Sequence, residues 1–190
     1  MSDPYGYSRP AERPKTLTYA VIGMWVGGLL NIVSTALLFT MDTAEMKAVF
    51  VTEMKKQPTY DPSVLDAEEM VDVIVPIIQI GGAVLGLIAL GLWIWMAVMN
   101  GKGHNWARIT ATVFGALSLA GSLSSVGNIA GNAALGGATM PMPAAGVALS
   151  VLDPLLVIAI LVLLWVAPSS AYFSAVGAAR RQQRTGYYAG

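Results

Sequence analysis

Four long apolar stretches leave this chain few ways to fold: residues 17–40, 73–99, 109–134 and 144–167. Each is close to the length of about 20 residues that a helix needs to cross the hydrocarbon of a bilayer. The first three contain no Asp, Glu, Lys or Arg, and the fourth contains only Asp153. In hydrocarbon every backbone amide must find its partner within the structure, so continuous apolar runs of this length predict helices. A membrane β-barrel would instead need short segments alternating apolar and polar residues. The expected fold is therefore all-α, a four-helix transmembrane bundle. The rest of the composition agrees, since 12% of residues are charged against about 25% in an average soluble domain.

The basic residues set the expected orientation. Arg9, Arg13 and Lys15 precede the first stretch, Lys102 and Arg108 flank the link between the second and third, and Arg180, Arg181 and Arg184 follow the fourth. The segment 41–72 holds only Lys47, Lys55 and Lys56, against eight acids. The positive-inside rule then predicts cytoplasmic termini, a cytoplasmic middle link and an acidic outer loop. The expected layout is a tail over 1–16, one four-span domain over 17–168, and an interfacial helix with a tail over 169–190. The first apolar run exceeds the usual signal-peptide core of about 7–15 residues and lacks a small-residue cleavage site after it, so it reads as a retained anchor.

Within 41–72, Met46, Val49, Phe50 and Met54 fall at helical spacing and predict a short amphipathic helix on the membrane surface or on the spans. Residues 58–63 (PTYDPS) read as a turn. Ser63 is then the expected cap of a helix running into the second span, with a kink at Pro76. After the fourth span, Tyr172, Phe173 and Val176 are expected toward lipid and the following arginines toward headgroups.

Small residues recur on helical faces within the spans. Gly23 and Gly27, Gly82 and Gly86, and Gly127 and Gly131 are GxxxG pairs suited to close backbone approach between helices. Polar residues are fewer. Counting about 1.5 Å per residue from the basic ends brings Asp153, Asn31 and Ser122 to one height, about 20 Å in. Together with Ser124 or Ser125 they form a candidate intramembrane polar cluster. An acid deep in a span costs about 2.5–3.5 kcal/mol on insertion scales, which favours a bundle interior or cavity for it. Asp153-Pro154 also matches an N-cap followed by proline at the first helical position, a purely structural role.

Catalytic signatures are missing. The chain has no cysteine and one histidine, His104, in a polar turn, which excludes thiol chemistry, disulfides and Cys-based metal sites. No phosphate-binding glycine loop or calcium-loop ligand series occurs. The reading is a protein that is not an enzyme, with no cofactor and no metal. Its expected partners are the lipid bilayer, itself or a larger membrane complex, and equal numbers of acidic and basic residues argue against nucleic acid.

The turn Gly101-Lys102-Gly103-His104-Asn105-Trp106-Ala107-Arg108, with Leu163-Leu164-Trp165 and Pro168-Ser169-Ser170-Ala171-Tyr172-Phe173, resembles small four-span membrane proteins of actinobacteria. The resemblance implies a multi-pass protein of a bacterial plasma membrane and carries no activity with it. Two functional expectations stand: an accessory or scaffolding subunit, or a small transporter or channel component using the cluster around Asp153.

Overall fold

A computed structural model describes residues 12–40, 42–63, 66–134 and 144–187, with side chains described except at 125–134 and 184–187. Six helices account for nearly all of it, with no strand among the described residues. They are α1 (Lys15–Leu38), α2 (Thr43–Lys55), α3 (Ala67–Gly101), α4 (Asn105–Ala134), α5 (Ala144–Trp165) and α6 (Ala167–Tyr187). The long helices form a ring: α1 packs on α3 and α5, and α4 packs on α5 and α3. The diagonal pairs, α1 with α4 and α3 with α5, do not approach each other among the described residues.

Three helices are long and apolar enough to cross a membrane: α1, α3 and α5. The third expected span, 109–134, is helical within α4, but its described part falls short of that standard. Thr110, Thr112, Gly115, Ser118, Gly121, Ser122 and Ser124 dilute its apolar character. The second span is longer than expected. α3 has 35 residues, about 52 Å at 1.5 Å per residue, well beyond an about 30 Å hydrocarbon core. Its cap is Asp66, whose carboxylate accepts from the amides of Glu68 (2.9 Å) and Glu69 (3.4 Å). Ser63 is not the cap; its amide and hydroxyl donate to Asp61 in the preceding turn, which lowers the Asp61 carboxyl from its ordinary value. The helix runs on through Pro76.

α2 begins at Asp42, which accepts from the Ala44 amide at 2.8 Å. It lies on the projecting part of α3, where Met46 is buried with Val71 and Val75, and Phe50, Val51 and Met54 pack alongside. Lys47 pairs with Asp72, and Lys55 with Glu68 at 3.7 Å. The expected amphipathic helix is there, and its apolar side is taken up by the same chain.

The main core lies toward the opposite end, where Leu17, Ala20, Met24, Ala97, Leu164 and Phe173 are buried together. Four of the GxxxG glycines sit at helix contacts. A side chain on Gly23 would meet Ile160 of α5, and one on Gly27 would meet the Trp93 ring of α3. Gly82 faces Leu38, and Gly86 faces Thr35, both of α1. The contacts of Gly127 and Gly131 lie outside the described residues.

Candidate functional site

Asp153 lies in the middle of α5, nine residues after the helix begins at Ala144. The N-cap reading is therefore overturned: the helix continues through Pro154, whose missing N–H leaves the carbonyl four residues earlier, that of Ser150, without its helical donor. Asp153 is half-buried and precedes Val157, Ile160 and Leu164, the buried stripe of α5, by one helical turn. The α1–α5 contact at Gly23 and Ile160 brings Asn31 within about one turn of the same height. The expected polar cluster is nonetheless not closed. Ser122 and Ser124 donate back to Ser118 and Ala120 of their own helix. α1 and α4 are diagonal neighbours, so Asn31 does not meet Ser122. Neither Asp153 nor Asn31 makes a hydrogen bond among the described residues, and the Ser125 side chain lies outside them.

Below this level the four long helices enclose a cavity of about 160 Å³. Met24, Trp93, Met96, Phe114, Gly115 and Ile160 line it, and Ser118 contributes the one hydroxyl. Phe114 and Ser118 are exposed, so the cavity opens outward along α4.

Polar contacts concentrate instead at the basic end. α3 stops in a Schellman turn: the Gly103 amide donates to the Asn100 carbonyl (2.9 Å) and the His104 amide to the Met99 carbonyl (3.3 Å). Gly103 has φ +71°, and an added Cβ would meet Tyr172 at 2.8 Å and Val176 at 3.3 Å. The position thus needs glycine for both its backbone and its neighbours. Asn100 is fully buried and its amide donates to the carbonyls of Met96 (2.9 Å) and Ala107 (3.4 Å), tying α3 to α4 across the turn.

α6 closes this end. Phe173 is buried in the main core and Tyr172 packs against it, which corrects the expectation that these rings face lipid. A guanidinium and a buried hydroxyl hold the seam. Arg108 stacks over Trp165 at 4.0 Å and near Phe173 at 5.0 Å, and donates to the Ser170 hydroxyl at 3.0 Å. Trp165 donates to the Thr112 hydroxyl at 2.9 Å. Ser169, fully buried, donates to the Leu163 carbonyl (2.7 Å) and bonds Thr16 of α1 (2.8 Å). Arg180 reaches back to the turn, donating to the Lys102 carbonyl (2.7 Å) and meeting His104 Nδ1 at 2.9 Å. Partial burial, then the charges of Arg180 and Lys102, push the His104 pKa down; burial likewise lowers that of Arg108.

None of Arg13, Lys102, Arg108 and Arg180 forms an ion pair among the described residues, whereas Lys47–Asp72, Lys55–Glu68 and Lys56–Glu53 pair at the acidic end. Arg108 Nε is buried without an acceptor. Asn100, Thr112, Ser169 and Thr16 escaped the reading of the sequence. The available signal was that the turn 101–108 and the stretch 163–173 both fall at the basic ends of their spans, where the fold brings them together. Comparison with protein-family models, with curated proteins and with solved structures found no match.

Proposed function

We propose that this chain is a multi-pass protein of a bacterial plasma membrane that crosses the bilayer four times, with both ends cytoplasmic, and serves as an accessory or scaffolding subunit. The distribution of Lys and Arg supports the orientation. α4, with 30 residues, is about 45 Å long and takes its place in the ring with α3 and α5, which supports a fourth crossing.

The observation that carries the subunit reading is the outer face of α3. Only 6% of its most apolar window is buried within the chain. Ile80, Leu85 and Leu87 point away from the bundle, and Gly81 and Gly91 have no neighbour within 4 Å of where a side chain would sit. Bare glycine backbone on an apolar helix is the surface against which another membrane helix packs closely. A photo-crosslinking residue at Leu87 in native membranes is expected to yield a protein adduct of one defined mass, either a partner or a second copy. Adducts to lipid alone would sink the reading.

A second reading, a small transporter or channel component, draws on the place of Asp153 directly above the inward stripe of α5. Intramembrane acids of this kind mark ion or proton paths. In reconstituted vesicles, Asp153→Asn is then expected to abolish a pH-driven flux while leaving the helix content intact. Wild-type vesicles without any flux exclude it.

A further inference from the structure

We propose that the basic end of the bundle binds one anionic phospholipid of the adjoining leaflet, its phosphate held by Arg108 and an acyl chain seated in the cavity between the four long helices. The proposal rests on the membrane-spanning reading and is independent of any protein partner.

Three observations carry it. The first is register. Arg108, Ala111, Gly115 and Ser118 recur at intervals of three, four and three, so they share one face of α4. Ala111, Gly115 and Ser118 line the cavity. Arg108 therefore lies one turn beneath it on the same face, about 15 Å below Ser118 along the helix, the relation of a phosphate to the upper part of its own acyl chain.

The second is the state of the guanidinium. Arg108 is partly desolvated and stacked against two rings, and its one hydrogen bond goes to a neutral hydroxyl. Its Nε is buried and unpartnered. A charge withdrawn from water is ordinarily matched by an opposite charge, and no acid among the described residues is paired with it. Arg13, Lys102 and Arg180 surround the same end, and among the described residues no acid is paired to them either, so an anion from outside the chain would meet unmatched positive charge there. Arginine suits phosphate through its planar fork of donors.

The third is the cavity. At about 160 Å³ and lined almost wholly by apolar side chains, it resembles cavities that stay dry and take apolar guests. It opens along α4, beside exposed Phe114 and Ser118, where a helix surface in a bilayer meets acyl chains.

The test uses the purified full-length chain in a mild detergent, with dioleoyl phosphatidylglycerol, dioleoyl phosphatidylcholine or inorganic phosphate added. Binding is read by native mass spectrometry and by the shift in thermal unfolding. Phosphatidylglycerol is expected to bind with one-to-one stoichiometry at least about tenfold more tightly than phosphatidylcholine, because both lipids carry the phosphate but only phosphatidylcholine adds a choline cation, which Arg108 and the neighbouring basic residues repel. Arg108→Gln is expected to erase that preference, and Ser118→Phe, which fills the cavity mouth, to weaken both lipids. Equal binding of the two lipids by the wild type overturns the proposal. So does stabilisation by inorganic phosphate equal to that by phosphatidylglycerol, which would make the site one for a free anion. If Arg108→Gln does not fold, the wild-type preference and Ser118→Phe decide: unchanged phosphatidylglycerol affinity in a folded Ser118→Phe protein overturns it too.

Discussion

The two ends of this bundle are held together by different physics. At the basic end, buried polar groups do specific jobs: Asn100 ties α3 to α4, Ser169 joins α6 to α5 and α1, and Arg108 is clamped between rings and a hydroxyl. At the acidic end, α2 lies on α3 through one small apolar cluster and ion pairs whose partners are largely exposed. Exposed pairs are each worth about 0–1 kcal/mol, whereas removing one partner of a buried hydrogen bond costs about 1–3 kcal/mol. The comparison teaches that the basic end is the anchor of the fold. The acidic end is the part that can adapt without unfolding the rest.

The strongest way to break that contrast is to hollow each end. Phe173→Ala removes a fully buried ring at the meeting point of α1, α5 and α6, with an expected cost of about 3–5 kcal/mol. Met46→Ala in the three-residue cluster under α2 is expected at the low end of its class, about 2 kcal/mol. Hydrogen exchange separates them further. Phe173→Ala should raise exchange in α6 and the adjoining ends of α1 and α5, while Met46→Ala should raise it in α2 alone. Equal and global effects would erase the distinction between the ends.

A smaller effect is expected at the turn. Gly103→Ala forces a left-handed conformation on a residue with a Cβ, about 1–2 kcal/mol, and drives that carbon toward Tyr172. The cost should appear as loosened docking of α6, read as faster proteolysis after Arg180 or Arg181 with α1–α5 still protected. A Gly103→Ala protein with an unaltered cleavage pattern would mean that the Schellman turn does not position α6.

Acid should loosen the same contact. Arg180 donates to His104 Nδ1, which requires a neutral imidazole. Burial, Arg180 and Lys102 hold the docked pKa below the ordinary 6.5, so the undocked state binds the proton more readily. The docked state is then favoured fully above pH 6.5, and its advantage falls as the pH drops through 6.5 toward the lower docked value. Hydrogen exchange in α6 is expected to quicken over that window, and His104→Gln to flatten the dependence.

Helix content and membrane character were legible because they depend on run length and on the absence of charge, both local properties. The acidic-side helix was legible from Met46, Phe50 and Met54 at helical spacing. What escaped was tertiary. Phe173 looked lipid-facing because amphipathicity reveals an apolar face without naming what covers it; here the return of α6 buries it in the core shared with α1 and α5. Ser63 lost the cap to Asp66, three residues on, since both are good N-caps and only the start of α3 distinguishes them. Asp153-Pro154 imitated a helix start because proline suits a first turn, yet an apolar segment surrounded by membrane keeps its helix through a proline. Counting residues puts Asn31 and Asp153 near one height, in agreement with the Gly23–Ile160 contact. The separation of Asn31 and Ser122 around the ring was not readable, because helix order is absent from a one-dimensional count.

The smallest expected effect tests the weaker end directly. Lys47 and Asp72 are 39% and 64% exposed as side chains, so solvent screens their attraction and Lys47→Ala should cost only about 0.2–1 kcal/mol. Their placement makes the pair informative despite that size. Asp72 is also the residue whose carbonyl is left without its helical donor by Pro76, four positions on, so Lys47 holds α2 against the part of α3 where the backbone ladder is thinnest. Removing the charge should therefore change local exchange in α2 and residues 67–76 more than it changes global stability. Raising salt should mimic the substitution in the wild type and have little effect in the variant, since an exposed pair weakens as the screening length shortens. If salt and Lys47→Ala instead act additively, the pair is not what holds α2 down, and the Met46 cluster alone accounts for the docking.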